Sequence, residues 1–310
     1  MVASGQQLSG MAGVLVAAIL WGTTGTAATY APDLSPLAVG AVAMGVGGLL
    51  QGLIAATTII RQRRLIARHW PGLLTGALSV AIYPLAFYTS MRYAGVTVGT
   101  VISIGSAPLL SALIEIRLDG LRLTKQWASG ALVGVAGMAL LCIAKSGGHS
   151  SGSGSAMAGI ALGLLAGFTY ALYSWSARRL MQGGVRPRAA MGATFGAGGL
   201  MLMPVLLMTG APLLAAWNNA ATGIYMALVP MFVGYVCYGF GLARIPASMA
   251  TTITLLEPVI AALLAVMLVG ERLPTYGWAG VALIVVSLAV ITAPADMLRF
   301  LSGRCKSGTF

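Results

Sequence analysis

Charged side chains are scarce in this chain of 310 residues, and acidic ones are scarcer still. Asp, Glu, Lys and Arg make up 8% of the sequence, Asp and Glu together number 6, and hydrophobic residues make up 58%. A soluble globular domain typically carries about 25% charged residues, which help to cover its surface. The composition therefore excludes a soluble globule and predicts a protein that is surrounded by lipid.

Cysteine and histidine are almost missing, which removes two kinds of site. Cys142 and Cys237 lie in apolar segments and Cys305 lies in the C-terminal tail, a spacing that suits neither a disulfide framework nor a metal site. His69 and His149 both lie in loops, so a histidine-rich metal site is excluded as well. The sequence predicts no metal and no cofactor.

Catalytic groups for chemistry inside a membrane are also missing. Ser106 lies in an apolar segment, but no histidine lies in such a segment to act as its base. Asp33, Asp119 and Asp296 all fall in loops or at segment edges, whereas an aspartyl protease of the membrane needs two aspartates inside it. The chain is predicted not to be an enzyme.

Ten long apolar segments are what the sequence does contain. A helix needs about 20 apolar residues to cross the hydrocarbon core of a bilayer, and an isolated segment in lipid can pair its backbone groups only as a helix. We therefore predict an all-α integral membrane protein with ten transmembrane helices. The predicted spans are 9–30, 36–60, 71–93, 96–118, 126–145, 157–180, 189–210, 220–242, 247–269 and 274–293.

The second half of the chain repeats the first at a shift of 150 residues. The matched positions are Tyr88 and Tyr238, Pro108 and Pro258, and the runs Gly-Leu-Arg-Leu at 120–123 and Gly-Glu-Arg-Leu at 270–273. We therefore divide the chain into two five-helix repeats, 1–150 and 151–310, joined by a flexible Ser- and Gly-rich segment at 146–155. Because each repeat holds an odd number of spans, the second is inverted relative to the first, as in many secondary transporters.

The Lys and Arg residues are distributed unevenly between the two sides of this arrangement. With the N-terminus inside, 15 of the 18 fall in cytoplasmic loops or the tail, and only Arg92, Lys145 and Arg272 fall outside. Such an excess marks cytoplasmic loops, so we predict a multi-pass protein of the cell inner membrane with both termini cytoplasmic. The same bias accounts for the net charge of +12, so nucleic acid is not a predicted partner. The predicted partners are the bilayer and a small-molecule substrate, and the oligomeric state is left open.

Glu257 is the one acidic residue predicted near the middle of a span, whereas Glu115 and Asp119 lie nearer a membrane edge. An ionised carboxylate is costly in hydrocarbon, so Glu257 should face the protein interior or a wet cavity, where it binds substrate or carries a coupling proton. The structural alternative is that it bonds backbone groups freed by Pro258. The residues alone leave both roles open.

The matched prolines, Pro108 and Pro258, lie in the middles of spans four and nine. Each removes a helical hydrogen bond, and we predict that the two kink their helices as a pair of hinges at binding depth. Since lipid-embedded helices also tolerate proline without special function, an incidental role is the alternative.

Aromatic side chains collect near the membrane middle, although Trp and Tyr usually lie at its interfaces. Their indole and hydroxyl groups need polar partners there, which a central cavity would supply. For any single residue, plain packing between helices is the alternative. The predicted substrate-binding residues, in addition to Glu257, are Trp21, Tyr83, Tyr88, Tyr170, Tyr173, Tyr235 and Tyr238.

Three motifs resemble the drug/metabolite transporter superfamily, specifically its ten-span EamA-type branch. The first span carries Trp21-Gly22, and Leu-Leu-Glu-Pro at 255–258 is followed by Gly-Glu-Arg-Leu at 270–273. The resemblance implies that spans one, three, four, six, eight and nine surround a central pathway, while five and ten are peripheral. It also favours the structural role of Glu257, because the Glu-Pro pair occurs in members with different substrates. In the first repeat, the position that matches Glu257 is Ala107.

The resemblance implies a secondary transporter that exports small metabolites by alternating access. Amino acids with aromatic or apolar side chains are the leading substrates, as in the family's aromatic amino acid exporters. An exporter of lipophilic cations is one alternative, because a central carboxylate with aromatic faces suits a cation. A nucleotide-sugar or organic-phosphate exchanger is another, but no central Lys or Arg is present to bind phosphate.

Overall fold

The computed structural model describes residues 5–94, 96–145, 153–269 and 273–292, and every regular element in them is helical. Within these residues, nine helices are long and apolar enough to cross a membrane, and Lys125–Lys145 is a further long helix. We number them as spans 1 to 10. They are Gly5–Ala28, Pro36–Arg61, Trp70–Ala94, Val96–Asp119, Lys125–Lys145, Ser153–Gln182, Pro187–Thr209, Trp217–Leu242, Ala247–Leu268 and Thr275–Thr292.

These helices confirm the predicted all-α membrane architecture, and their ends lie within four residues of the predicted ends. The largest differences are at the starts of spans 1 and 6, which begin at Gly5 and Ser153. Most of the predicted linker, the residues 270–272 of the Gly-Glu-Arg-Leu motif, and Cys305 and Asp296 in the tail lie outside the described residues.

Local sequence explains where several spans begin and end. Ser35 caps span 2, because its hydroxyl accepts the Ala38 N–H at 3.1 Å, and Pro36 occupies the first turn, where its missing N–H has no helical partner to lose. Gly120 follows span 4 with a φ of 66°, a left-handed conformation that glycine adopts readily at a helix end. These short connections hold consecutive spans side by side.

The same pairs of helices are in contact when each span is replaced by its counterpart in the other repeat. Span 8 is the counterpart of span 3 in the other repeat, and span 1 is the counterpart of span 6. Span 3 packs against span 6, and their counterparts, spans 8 and 1, also pack against each other. Spans 2 and 7 change places with one another, as do spans 5 and 10, and each of these pairs is in contact. With five spans in each half, the second repeat is inverted relative to the first.

Spans 5 and 10 pack backbone to backbone. A Cβ atom added at Gly137 would lie 2.8 Å from the Gly280 carbonyl oxygen, and one added at Gly280 would lie 2.6 Å from the Gly137 carbonyl oxygen. The Ser287 hydroxyl also donates to the Gly130 carbonyl at 2.6 Å. Small residues that allow such close approach are typical of helix pairs in membranes.

The polar and apolar residues are arranged as expected for a bundle in lipid. Large apolar side chains such as Leu53 and Leu200 are exposed on the outside, while Trp70 and Trp217 are exposed at span ends, where aromatic residues meet the membrane interface. The centre of the bundle instead holds a buried aromatic cluster. Its members include Trp21, Tyr170, Tyr173, Phe195, Tyr235 and Tyr238.

Three helices lose their regular geometry beside this cluster. Span 2 is π-helical at Ala41–Val46, and span 8 is π-helical at Ala227–Val233. Span 9 is interrupted by a turn at Thr254 and Leu255 before its helix resumes at Leu256. Irregular backbone at membrane depth is tolerated where it is buried in protein or lines a cavity, so these interruptions direct attention to the space between them.

Candidate functional site

A cavity of about 480 Å³ extends from the middle of the bundle to the segment that joins spans 1 and 2. Trp21, Phe87 and Glu257 line it in the middle of the bundle. At its other end it is lined by Pro32 and Pro36, which are both exposed. The cavity therefore connects the aromatic cluster with the surface at one end of the protein, which we call the cavity end.

A second pocket of about 50 Å³ continues the cavity into the aromatic cluster. The two share the lining residues Trp21, Thr24, Phe87, Tyr88 and Glu257. Beyond them the second pocket is lined by Tyr83, Tyr170, Tyr173 and Tyr235, together with residues of the π-helical parts of spans 2 and 8. The cavity thus narrows toward the centre of the bundle.

The chemical character of this lining is apolar and aromatic, with one acid. Val39, Ile104, Leu141 and Met226 supply aliphatic and thioether surface in the larger cavity. Among the described lining residues of both spaces, Glu257 is the one acidic side chain, and no Lys, Arg or His is present. A ligand in this space would meet a single carboxyl group and several aromatic faces.

Glu257 reaches the cavity because span 9 is broken. The residue lies in the first turn of the helix Leu256–Leu264, where the N-terminal end of the helix dipole favours a carboxylate. Its backbone N–H donates to the Thr254 carbonyl at 3.0 Å across the turn. The break therefore places a carboxylate in the middle of the bundle at the start of a helix.

Gly22 brings span 1 against this part of span 9. A Cβ atom at residue 22 would lie 2.5 Å from Cβ of Ile260 and 2.9 Å from the Glu257 carbonyl oxygen, too close for any larger residue. Trp21, its neighbour, lines the cavity. The Trp-Gly motif thus combines an aromatic wall with a close approach of two helices at the acidic residue.

The Glu257 carboxylate makes no hydrogen bond and no ion pair with any described residue. The sequence also allowed a structural role for Glu257, which requires hydrogen bonds between its carboxylate and the backbone groups freed by Pro258. Because the carboxylate instead lines both spaces without a partner, it is available to a ligand or a proton.

Five of the predicted aromatic residues are buried, and their polar groups are paired within the protein. The Trp21 indole N–H donates to the Pro230 carbonyl at 2.8 Å, in the π-helical part of span 8. The remaining hydroxyl pairs are Tyr170 with Thr254 at 2.8 Å, Tyr173 with Tyr235 at 2.8 Å, and Tyr238 with Ser174 at 2.9 Å. Trp21, Tyr170, Tyr173 and Tyr235 thus form the inner wall of the site, whereas Tyr238 packs against Trp21 and lines neither space.

Tyr83 and Tyr88 differ from the other predicted tyrosines. Both are half-buried, both line the smaller pocket, and neither hydroxyl has a hydrogen-bond partner among the described residues. Tyr83 stacks near Phe87 with ring centroids 5.6 Å apart, and Phe87 contacts Tyr88 at 5.1 Å. This aromatic row on span 3 carries free hydroxyls into the cavity.

The two matched prolines occupy different surroundings. Pro258 lines the cavity next to Glu257. It lies three residues after Leu255, the second residue of the turn that interrupts span 9. Pro108 lies inside span 4, which stays helical from Val96 to Asp119. Their role as a pair of hinges stays a prediction.

Several lining residues were not predicted from the sequence. Thr24 lies one turn beyond Trp21, and Phe87 lies one turn beyond Tyr83, so helical spacing alone indicates that each shares a face with a predicted residue. Val39 of span 2 and Leu141 of span 5 carry no such signal, because each is an ordinary aliphatic residue of an apolar helix. No group of three possible metal ligands occurs within the described residues.

Comparison with known proteins gives consistent matches over nearly the whole chain. The model of the EamA-like transporter family matches residues 8–143 and again residues 157–293. The uncharacterized transporter YwfM of Bacillus subtilis (strain 168) is 33% identical over 281 residues, which cover 90% of this chain and 92% of that protein. A protein of Streptantibioticus cattleyicolor named "Probable terminal-alkyne amino-acid exporter" is 26% identical, over 88% of this chain and 92% of its own length.

A solved crystal structure shares the fold. It superposes with a TM-score of 0.76 over 94% of this chain and 98% of its own, at 21% sequence identity. The two family matches fall on the two halves that contain five spans each, and Trp21 and Glu257, one from each match, both line the cavity. The chain is a membrane transporter that belongs to the EamA-like transporter family.

Proposed function

We propose that this protein is a secondary exporter of amino acids with aromatic or apolar side chains, which works by alternating access. The observation that carries the proposal is the unpaired Glu257 carboxylate in a cavity walled by aromatic residues. The distribution of Lys and Arg supports a location in the cell inner membrane with both termini cytoplasmic. The proposal includes no enzymatic step.

Each part of such a substrate has a partner of suitable chemistry. The ammonium group pairs with Glu257, next to the faces of Trp21 and Phe87, which attract a cation. The free hydroxyls of Tyr83 and Tyr88 are hydrogen-bond donors for the substrate carboxylate. The substrate side chain lies in the wider part of the cavity, against its aliphatic residues.

Two further observations support an amino acid as the substrate. The cavity volume of about 480 Å³ lies within the usual range of small-molecule sites. The relative from Streptantibioticus cattleyicolor is named as an amino-acid exporter. An organic-phosphate substrate is disfavoured, because no Lys or Arg lines the described cavity.

The absence of Lys and Arg from the described lining also favours a second candidate, an exporter of lipophilic amines. Such a substrate needs the carboxylate and the aromatic faces but no partner for a negative group. The two candidates differ only in whether the substrate must carry a carboxylate.

Transport by the purified protein in liposomes distinguishes them. Three probes share one aromatic ring: phenylalanine, phenethylamine, which lacks the carboxylate, and N-acetylphenylalanine, which lacks the ammonium group. An amino-acid exporter transports phenylalanine well, phenethylamine poorly and N-acetylphenylalanine not at all. This order is expected both with and without a proton gradient imposed across the membrane as the energy source. Transport of phenethylamine alone establishes the amine exporter, and transport of N-acetylphenylalanine at the rate of phenylalanine overturns both.

A matched variant pair checks that transport depends on the site. Glu257→Gln removes the charge in the cavity, whereas Asp33→Asn removes the same charge from an exposed position in the segment between spans 1 and 2. Only the first is expected to abolish transport. Equal transport by the two variants contradicts the assignment of Glu257.

A further inference from the structure

The end of the bundle opposite the cavity is closed around a buried acid. Glu115 lies in the last two turns of span 4, yet it is 1% exposed. Its carboxylate oxygens accept the backbone N–H groups of Ala247 at 2.7 Å and Ser248 at 3.0 Å. Since Ala247 begins span 9, the carboxylate ties the end of a first-repeat helix to the start of a second-repeat helix.

Arg178 of span 6 completes this contact. Its guanidinium lies 3.8 Å from the Glu115 carboxylate, and its Nε donates to the Ile245 carbonyl at 2.8 Å. The two charged side chains thus hold the connection between spans 8 and 9 from both sides. A buried charge that is fully partnered in this way is costly to separate, because each group loses its partner.

Arg178 is the last member of a row on one face of span 6. Tyr170, Ser174 and Arg178 are spaced four residues apart, so they lie above one another along the helix. Their partners are Thr254, Tyr238 and the Ile245 carbonyl, at 2.8, 2.9 and 2.8 Å. This row of contacts, the span 6 seam, runs from the inner wall of the cavity to Glu115.

The repeat relation shows that the charged contact has no counterpart at the cavity end. At the shift of 150 residues, the position in the second repeat that matches Glu115 is Ala265, and the position in the first repeat that matches Arg178 is Ala28. Ala28 lines the cavity. The two ends of the pathway are therefore built differently, and the charged end is the closed one.

We propose that Glu115 is a positioning residue that latches the pathway shut at its own end while the cavity end is open. Opening the Glu115 end requires the start of span 9 to leave the carboxylate and the span 6 seam to separate. The Ala247 and Ser248 N–H groups, the Arg178 guanidinium and the carboxylate must then find water instead of one another. The proposal rests on the alternating access of the proposed function and is independent of the substrate.

Thiol accessibility in purified protein tests the latch without any substrate. In a background with Cys142, Cys237 and Cys305 replaced by Ala, three single-cysteine reporters are compared using a charged thiol reagent. Thr251→Cys reports the Glu115 end, where Thr251 is fully buried; Val39→Cys reports the cavity; Ala131→Cys reports the packing of spans 5 and 10. Each is measured with and without Glu115→Gln.

Loss of the latch moves the first two reporters in opposite directions. Glu115→Gln should raise labelling at Thr251→Cys by about tenfold or more, because a smaller free-energy difference now separates the closed and open states. Labelling at Val39→Cys should fall, since the cavity end is closed in the alternative state, and labelling at Ala131→Cys should not change. A purely structural role would raise all three together.

Asp119→Asn is the matched control, because Asp119 lies one turn after Glu115 on the same helix. Its carboxylate binds Trp175 and Arg179, but the Arg179 side chain is 53% exposed. Exposed ion pairs contribute little, so this variant should change labelling at Thr251→Cys by less than about twofold.

Two outcomes overturn the proposal: parental labelling at Thr251→Cys in Glu115→Gln, or an equal increase at all three reporters. If Glu115→Gln does not fold, Arg178→Gln removes the other half of the ion pair and is judged by the same two criteria. Failure of phenylalanine transport leaves these rates unaffected, so the latch and the substrate assignment fail separately.

Discussion

Spans 4 and 9 occupy matching places in the two repeats, yet one is continuous and the other is broken. Both contain the repeated proline, Pro108 in span 4 and Pro258 in span 9. Span 4 stays helical throughout, whereas span 9 has a turn at Thr254 and Leu255. A proline in the middle of a membrane helix is therefore not sufficient to break it.

The difference lies in the residues before the proline. In span 9, the Thr251 and Thr252 hydroxyls donate to carbonyls of Ala247 and Ser248, and the Thr254 hydroxyl donates to the Thr251 carbonyl at 2.9 Å. Such bonds to the preceding turn compete with the helical pattern and bend helices. The three matching positions of span 4 hold Val101, Ile102 and Ile104, so fewer such bonds precede Pro108; the one seen in the described residues is from the Ser106 hydroxyl to the Ser103 carbonyl at 3.4 Å.

The repeat with the broken span supplies the acid in the cavity. Glu257 follows the turn in span 9 and lines the cavity, whereas its mate Ala107 is fully buried in the unbroken span 4. Span 4 instead carries its acid, Glu115, near its end, at the closed end of the pathway. Two helices at matching places in the repeats thus contribute acids to different ends of the pathway, because a few of their side chains differ.

The largest effect expected in this comparison is that of Glu257→Gln. The variant keeps nearly the same shape but removes the charge and the titratable proton, so an ammonium group entering the cavity loses its partner. We expect kcat/KM to fall by about two orders of magnitude or more, since breaking a buried charge pair costs about 3–5 kcal/mol. The measurement is uptake of labelled phenylalanine by liposomes.

Comparing two modes of transport separates substrate binding from proton coupling in the same variant. If Glu257 carries only the coupling proton, gradient-driven accumulation disappears while downhill exchange survives. If it binds the substrate, both are lost. Accumulation at the parental level would show that Glu257 has neither role and would revive the structural interpretation.

The paired prolines give a smaller effect that tests the break itself. Pro258→Ala restores a backbone N–H next to Glu257 and favours a continuous helix, which would move the carboxylate relative to Trp21. A displacement of about 1 Å can reduce activity by up to about a hundredfold. Pro108→Ala, in a helix that is already continuous, should change kcat/KM by less than about twofold.

This difference is tested by measuring the transport rate and the thermal stability of both proline variants. Equal losses of transport in both would support the paired hinges predicted from the sequence. A loss confined to Pro258→Ala supports the asymmetry seen between spans 4 and 9.

Much of the fold could be predicted because it depends on local properties. The apolar segments of the sequence locate the ten long helices, nine of which are long and apolar enough to cross a membrane, and the repeated tyrosine and proline positions indicate the two halves. Depth in the membrane also indicated that Trp21, Tyr83 and Tyr170 would come together, and all three line the smaller pocket.

The pairing of individual polar groups could not be predicted, because it depends on distant partners. Glu115 carried little information in the sequence, since its acceptor sites are filled by backbone N–H groups of Ala247 and Ser248, which leave no residue-type signal. Likewise, nothing in the sequence distinguishes Tyr88, whose hydroxyl is free, from its repeat mate Tyr238, whose hydroxyl binds Ser174.

The smallest expected effect concerns these two kinds of tyrosine, through Tyr88→Phe and Tyr173→Phe. Removing the free Tyr88 hydroxyl takes away a donor for the substrate carboxylate, so the KM for phenylalanine should rise by roughly tenfold, since a hydrogen bond to a charged group contributes about 1.5–3 kcal/mol. The KM for phenethylamine, which has no carboxylate, should stay unchanged.

Tyr173→Phe should act on stability instead. The Tyr173 hydroxyl pairs with the Tyr235 hydroxyl at 2.8 Å, and removing it leaves a buried polar group without its partner. Thermal unfolding should show a loss of about 1–3 kcal/mol with little change in either KM. If Tyr173→Phe instead raised the KM for phenylalanine as much as Tyr88→Phe does, the paired tyrosines would belong to the substrate contact and not to the wall behind it.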